Sequence, residues 1–376
     1  MKVKRFMATL LGVVLLLAQT LLCHGLEVKK TPLFQHDSNS SLSGPEPGTS
    51  EPRITYSNYS GILFLTDNRV LEYVLSSEGF PLTNRSERQG NSGYNLRLSL
   101  FDLNQTKARV TKDIAVPGKL FRLFRSQSGD VLLITESGIL TMSNELTVLR
   151  QTPPNDQLRD SQAWASDVDG AHLYLDADST EQCPAPVHVL DSESLLPTES
   201  WCLNKDRNRA FYGTTAAEYS KGRNPAVFIY RAGKQAGKFD LPRMLFVEQI
   251  VLLSDEWLVA NDGANFLSYR MGKGIDFYAP VLRHWNIVSP MSCDVSESGC
   301  ALVIARPKSD VFDVRRTTSL KDAAIAVIGL ENGRIQFQCS IQGRYKNLAD
   351  VRATMSPNGS RVAIWFGSTW EIYSLR

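Results

Sequence analysis

Met355-Ser356-Pro357-Asn358-Gly359-Ser360 runs directly into Arg361-Val362-Ala363-Ile364-Trp365. The first six residues have the chemistry of a tight turn. Asparagine and glycine tolerate positive φ, and serine caps the local backbone. The next five are the apolar, β-branched and aromatic types that fill a short buried strand. The same sequence of polar turn and apolar strand occurs seven times. The other turns are Ser57–Gly61, Ser126–Gly129, Asp167–Gly170, Ser220–Gly222, Ser254–Glu256 and Ser296–Gly299. The strands that follow them begin at Ile62, Val131, His172, Val227, Trp257 and Ala301. A unit of this kind cannot bury its own faces, so the recurrence implies a closed ring of small antiparallel sheets.

The turns lie 33–68 residues apart, about 50 on average, and two longer spans raise that mean. Four strands with short connections need about 40–45 residues. Further strand pairs follow the turns, as in Gly138–Met142 with Leu146–Leu149, and Ala324–Ile328 with Arg334–Cys339 around Glu331-Asn332-Gly333. Leu98–Leu103 and Arg109–Thr111 make another such pair. No long stretch has helical periodicity, so the expected class is all-β.

The ending Ser-Pro-Asn-Gly-Ser, apolar strand, then Trp370-Glu371-Ile372-Tyr373-Ser374-Leu375 resembles a blade of the WD40-like and YVTN-like seven-bladed β-propellers. The resemblance covers roughly residues 53–376. It implies seven four-stranded antiparallel blades around a channel, and it implies no chemistry. The Gly-His and Trp-Asp signatures of eukaryotic WD40 blades are absent, and the blades are uneven, so no named family is assigned.

An open sheet edge invites pairing with another chain, so a ring needs closing. The last blade supplies about three strands, Val351–Met355, Arg361–Trp365 and Glu371–Leu375. The expected fourth is an N-terminal closing strand at residues 26–34, starting at Leu26-Glu27-Val28-Lys29-Lys30, with a flexible Ser/Gly/Pro-rich link over residues 37–52. The alternative is that all of residues 26–52 form a flexible segment.

Residues 1–25 read as a signal peptide. Lys2, Lys4 and Arg5 precede an apolar run from Phe6 to Leu22, and small residues precede a cleavage point after Gly25. A retained N-terminal anchor is the alternative. Leu22 stands where a lipoprotein at Cys23 would need a small residue. Cleavage leaves about 351 residues with 38 Lys plus Arg against 39 Asp plus Glu, a near-neutral chain without the basic patch that nucleic acid or anionic lipid requires. The expectation is a secreted or periplasmic monomer with no membrane span once the signal is removed.

Export permits disulfides. Cys293 and Cys300 flank one hairpin turn, and Cys183 and Cys202 flank another, leaving Cys339 odd. Reduced, buried thiols are the alternative. There is no Cys-x-x-Cys pair, nucleophile elbow, Walker loop or Gly-x-Gly-x-x-Gly, so neither a metal nor a cofactor is expected. Beyond the signal only His36, His172, His188 and His284 remain, His36 falling in the N-terminal segment. Asp167 and Asp169 read as turn residues at one end of a strand whose other end carries Asp176 and Asp178. Seven residues at about 3.3 Å each separate Asp169 from Asp176 too widely for one calcium ion.

Loops after the second strand of each blade should converge around the channel. That expectation selects Asp67, Arg69, Glu136, Asp176, Asp178, Arg231, Asp262 and Arg306 as a mixed-charge rim for a protein or polar ligand. Two functions remain open: an exported binding or scaffold module, and an exported enzyme of lactonase, glycosidase or quinoprotein-dehydrogenase type. Missing catalytic motifs favour the first.

Overall fold

The computed structural model describes residues 32–37, 54–55, 60–77, 94–105, 108–116, 120–135, 138–152, 163–176, 179–203, 208–220, 225–241, 247–281, 284–288, 291–308 and 320–375. They form seven antiparallel blades and one short 3-10 turn, Leu348–Asp350. From inside outward, blade 1 is Gly61–Thr66, Arg69–Ser77, Tyr94–Asp102 and Ala108–Val116, with Ile54–Thr55 added beside its second strand. Blade 2 is Leu120–Arg125, Val131–Thr135, Gly138–Met142 and Val148–Thr152; blade 3 is Ala163–Ser166, His172–Asp176, Ala185–Asp191 and Pro197–Leu203. Blade 4 is Asn208–Tyr212, Thr215–Ser220, Ala226–Arg231 and Lys234–Asp240; blade 5 is Gln249–Ser254, Trp257–Asn261, Asn265–Arg270 and Gly274–Pro280. In blade 6 two short pieces, Asn286–Ile287 and Ser292–Cys293, share the innermost position before Gly299–Pro307, Leu320–Gly329 and Ile335–Ser340. Blade 7 is Arg352–Met355, Arg361–Trp365 and Thr369–Ser374, completed by Phe34–Asp37.

The apolar runs follow from this stacking. A second strand has a neighbouring blade on each face, so Val131–Thr135 and Trp257–Asn261 are buried at every residue. Outer strands have a wet face, and Ala108–Val116 alternates half-buried with exposed. Seven apolar clusters result, one at each seam between blades. In Gly299–Pro307, Leu302 and Ile304 pack towards blade 5, while Ala301, Val303 and Ala305 pack towards blade 7. Phe211, Trp257, Trp365 and Trp370 belong to such seams.

An N-terminal strand does complete blade 7, but further along than residues 26–34. Phe34 pairs with Ile372 and Asp37 with Thr369. Residues 1–31 lie outside the described residues, and with them the expected signal peptide and the candidate strand Leu26–Lys30. Among the described residues no helix is long and apolar enough to cross a membrane. His36 sits in this strand, half-buried against Phe101 and Trp370, rather than in a flexible segment.

Five of the seven recurrent turns join an innermost strand to a second strand, in blades 2, 3, 5, 6 and 7. The other two occupy different places. Ser57–Gly61 precedes the innermost strand of blade 1, and Ser220 ends the second strand of blade 4. The equivalent turns are Asp67-Asn68 in blade 1 and Gly213-Thr214 in blade 4. With that correction Gly129, Gly170, Gly213 and Gly299 fall 41, 43 and 86 residues apart, the last interval being two blades. A blade is therefore about 43 residues, the length four strands require.

Cys183 and Cys202 stand at disulfide distance with Cα atoms 5.5 Å apart, and Cys293 and Cys300 do so at 4.0 Å. Cys293 and Cys300 are direct cross-strand partners in the register of blade 6. Cys339 is a buried free thiol.

Candidate functional site at the channel mouth

In the turns between first and second strand of blades 2, 3, 6 and 7, the first polar residue folds its side chain back onto the chain that follows. Ser126 Oγ accepts from Asp130 N at 3.2 Å, Asp167 Oδ1 from His172 N at 2.9 Å, Asp294 Oδ1 from Gly299 N at 3.0 Å, and Ser356 Oγ from Arg361 N at 3.0 Å. All four residues are buried. A buried polar group without a partner would cost stability, so the cap is what permits a polar turn at the centre of the ring.

These turns also grip one another. Asp67 Oδ1 accepts from Asn358 N at 2.9 Å, and Arg361 Nη1 reaches Asp67 O at 2.6 Å and Asn68 Oδ1 at 2.7 Å, tying blade 7 to blade 1. Tyr174 Oη donates to Gly213 O at 3.0 Å and Tyr212 Oη to Asp169 Oδ2 at 3.1 Å, tying blade 3 to blade 4. Thr215 Oγ1 reaches Asp255 Oδ1 at 2.7 Å across the next seam. Gly170, at φ +79°, lies so close to the Arg125 carbonyl that no Cβ fits.

Inside this collar lies an axial cavity of about 150 Å³. Innermost strands and turns of blades 1, 2, 3, 6 and 7 line it, bringing together Arg125, Asp167 and Asp294. Burial pushes the Arg125 guanidinium below its ordinary pKa, and Asp169 and Asp67 oppose that shift. Its Nη2 is 3.4 Å from both Val168 O and Asp169 O. Burial raises the Asp167 carboxyl, and the hydrogen bond from the His172 backbone pulls it down. Asp167 Oδ2 also meets His172 Nδ1 at 2.8 Å and Tyr174 Oη at 3.3 Å. Asp294 is bound by Ser296 Oγ at 2.7 Å, Ser298 N at 2.8 Å, Gly299 N and Ser298 Oγ.

The eight residues chosen from the sequence do not form one rim. Asp67, Arg69 and Arg231 lie at the end of the blades that carries these turns. Asp176, Asp262 and Arg306 lie where second strands end, at the opposite mouth. Glu136 and Asp178 fall outside the described residues. The mis-sorting of Asp67, Arg69 and Arg231 follows from the strand numbering in blades 1 and 4 corrected above. Several of the eight have structural partners. Arg69 pairs with Glu145 at 2.8 Å, Asp262 accepts from Asn265 N at 2.6 Å, and Arg306 pairs with Asp322 beside the Trp285 ring. Arg125, Asp167 and Asp294 were not selected, although each borders a recurrent turn. That adjacency was the available signal. Among the described residues, no group of three or more His, Cys, Asp or Glu could hold a metal ion.

No family model matches the sequence, and no curated protein matches it. The fold does have solved counterparts. A chain of a mitotic checkpoint complex crystal structure is similar at TM-score 0.51 and 10% identity, with 92% of each chain covered. The WD40 domain of Pan2 from Neurospora crassa is similar at TM-score 0.50 and 11% identity, over 92% of this chain and 94% of that one. The WD40 β-propeller domain of Doa1 is similar at TM-score 0.50 and 11% identity, over 84% and 92%. At these identities the likeness establishes the propeller fold and nothing of function.

Proposed function

We propose that the protein is an exported, non-catalytic β-propeller that receives a polar ligand or a segment of a partner polypeptide at the collared mouth of its channel. The observation that carries this reading is the axial cavity lined by Arg125, Asp167 and Asp294. At about 150 Å³ it is smaller than the roughly 300–1,000 Å³ of substrate and cofactor pockets, and holds about five waters. That volume suits one inserted side chain. The charges around it provide orientation. The loops with Asp262 and Arg306 form the opposite rim, available to a partner that spans the ring.

The lactonase, glycosidase or quinoprotein-dehydrogenase reading lacks such an observation. Asp294 accepts four hydrogen bonds, and Asp167 is held by His172 N, His172 Nδ1 and Gly213 N, which occupies both carboxylates within and between turns and leaves neither arranged as a base.

The test is a photo-crosslinking amino acid at Val295, on the cavity wall, compared with one at Lys238 on the outer strand of blade 4. A discrete adduct from Val295 and none from Lys238 is expected. No adduct, or the same adducts from both positions, overturns the channel-mouth reading. Export is tested separately by fractionation and N-terminal sequencing, with Leu26 expected as the first residue of an extracytoplasmic protein.

A further inference from the structure

Asparagine followed two residues later by serine or threonine is the acceptor pattern for an N-linked glycan, provided the residue between is not proline. The chain carries that pattern at Asn39, Asn58, Asn84, Asn104 and Asn358. Asn39, Asn58 and Asn84 lie outside the described residues. The fold treats the other two in opposite ways.

Asn358 is half-buried in the turn between the first and second strands of blade 7. Its Oδ1 accepts from Ser360 N at 2.9 Å and lies 3.1 Å from Ser356 Oγ. Its backbone N–H is held by Asp67 Oδ1 at 2.9 Å, in the contact that ties blade 7 to blade 1. The carboxamide is thus the cap of its own turn. A glycan is bulky and belongs in solvent, so one placed here would break the cap and crowd the closing seam.

Asn104 is exposed, in the turn between the third and outer strands of blade 1. Asp102 shapes that turn. Its Oδ1 accepts from Asn104 N at 3.0 Å, and its carbonyl accepts from Gln105 N at 2.9 Å. Leu103 N donates to Asn68 O at 2.9 Å, which pins the turn from behind. The backbone is therefore fixed, while the Asn104 carboxamide makes no hydrogen bond among the described residues. A sugar on its Nδ2 displaces no contact of the fold. Asp102 also supplies the carboxylate two residues ahead of the acceptor that transferases of bacterial type require. The stretch Asp102-Leu103-Asn104-Gln105-Thr106 therefore suits a glycan donor in either kind of export compartment.

We propose that Asn104 is an N-glycosylation site. The inference rests on the export reading, because the donor, a lipid-diphosphate-linked oligosaccharide, is presented on the extracytoplasmic side of a membrane. Transfer forms a bond from Asn104 Nδ2 to the anomeric carbon of the first sugar. The bond from that carbon to the diphosphate oxygen breaks, the lipid diphosphate leaves with the electron pair, and Nδ2 gives up one proton. Turns between third and outer strands lie at the same end of the blades as the collar, farther from the axis. The glycan accordingly stands at the outer rim of the collar face, beside blade 1.

The experiment is glycopeptide mapping by tandem mass spectrometry of the full-length protein recovered from the cells that make it, with fractionation of the same sample. A glycan on Asn104 and a bare Asn358 are expected in the extracytoplasmic fraction. Asn104→Gln should lose the mass of one glycan and keep the circular dichroism of the folded protein, which separates loss of the acceptor from misfolding. A bare Asn104 in exported protein overturns the proposal and leaves the export reading standing. Protein confined to the cytoplasm overturns both. Equal occupancy of Asn104 and Asn358 also overturns the proposal, since the fold would then not select the site.

Discussion

The indole Nε1 of Trp370 donates to Glu72 Oε1 at 3.1 Å, joining residues 298 apart in the chain. Both are buried. Trp370 stands on the third strand of blade 7 and Glu72 on the second strand of blade 1, so this bond crosses the seam where the ring closes. Phe34 stacks on the same indole at 4.9 Å between ring centroids, which ties the N-terminal strand to that seam.

Phe34→Ala should therefore loosen closure as well as remove packing. A buried phenylalanine replaced by alanine costs about 3–5 kcal/mol. Differential scanning calorimetry should show a melting temperature lower by several degrees, and removal of residues through Asp37 should lower it further. A melting curve unchanged in both variants would show that this strand does not hold the ring.

Gly170→Ala should destabilise far more than Gly272→Ala. Both glycines have positive φ, +79° and +80°, so both variants carry the strain of about 1–2 kcal/mol for a left-handed residue. Gly272 has open space around it, whereas a Cβ on Gly170 collides with the Arg125 carbonyl. Equal urea midpoints for the two variants would mean that the collar yields easily.

The thiols are countable. Alkylation of the unfolded, unreduced protein should label Cys339 alone when the chain starts at Leu26, and Cys23 as well when the N-terminus is retained. By loop-closure entropy over separations of 19 and 7 residues, the Cys183–Cys202 pair stabilises by about 3 kcal/mol and the Cys293–Cys300 pair by about 2 kcal/mol. Paired serine substitutions, compared by urea unfolding, should fall in that order.

Alkali should weaken the seam between blades 3 and 4. Burial, then the nearby Asp169, pushes the Tyr212 phenol up to about 12. The folded state holds this proton more tightly than the unfolded chain, where the phenol titrates near 10. Its contribution is therefore complete below about pH 10 and is lost as pH rises towards about 12. Tyr212→Phe should show a shallower fall in stability across that window. An identical slope in both proteins would remove Tyr212 as the cause.

Much of the ring was readable from local chemistry. Ser356-Pro357-Asn358-Gly359 announces its turn because serine, asparagine and glycine act within a few residues of themselves. Blade 4 was misread for the same reason. Tyr212-Gly213-Thr214-Thr215 has no Ser or Asp cap at its start, while Ser220-Lys221-Gly222 imitates one a strand later. Asp67 drew attention as a loop acid, yet its partner is the Asn358 amide, 291 residues away. Arg125 was passed over because a charged residue at a strand end ordinarily reads as solvated.

Sequence alone determined the class of fold, the strand-and-turn alphabet, the approximate blade length and which cysteines face each other across hairpins. Each depends on propensities and spacings that operate over a few residues. Tertiary structure decided which strand closes the ring, which mouth each loop serves, and whether a buried acid is a clamp or a wall of the cavity. Leu302 and Val303 are equally apolar in the chain, but they pack against opposite neighbouring blades. Burial, pairing and field are set by the segments that arrive from elsewhere around the axis, and adjacency in the chain carries no record of that arrival.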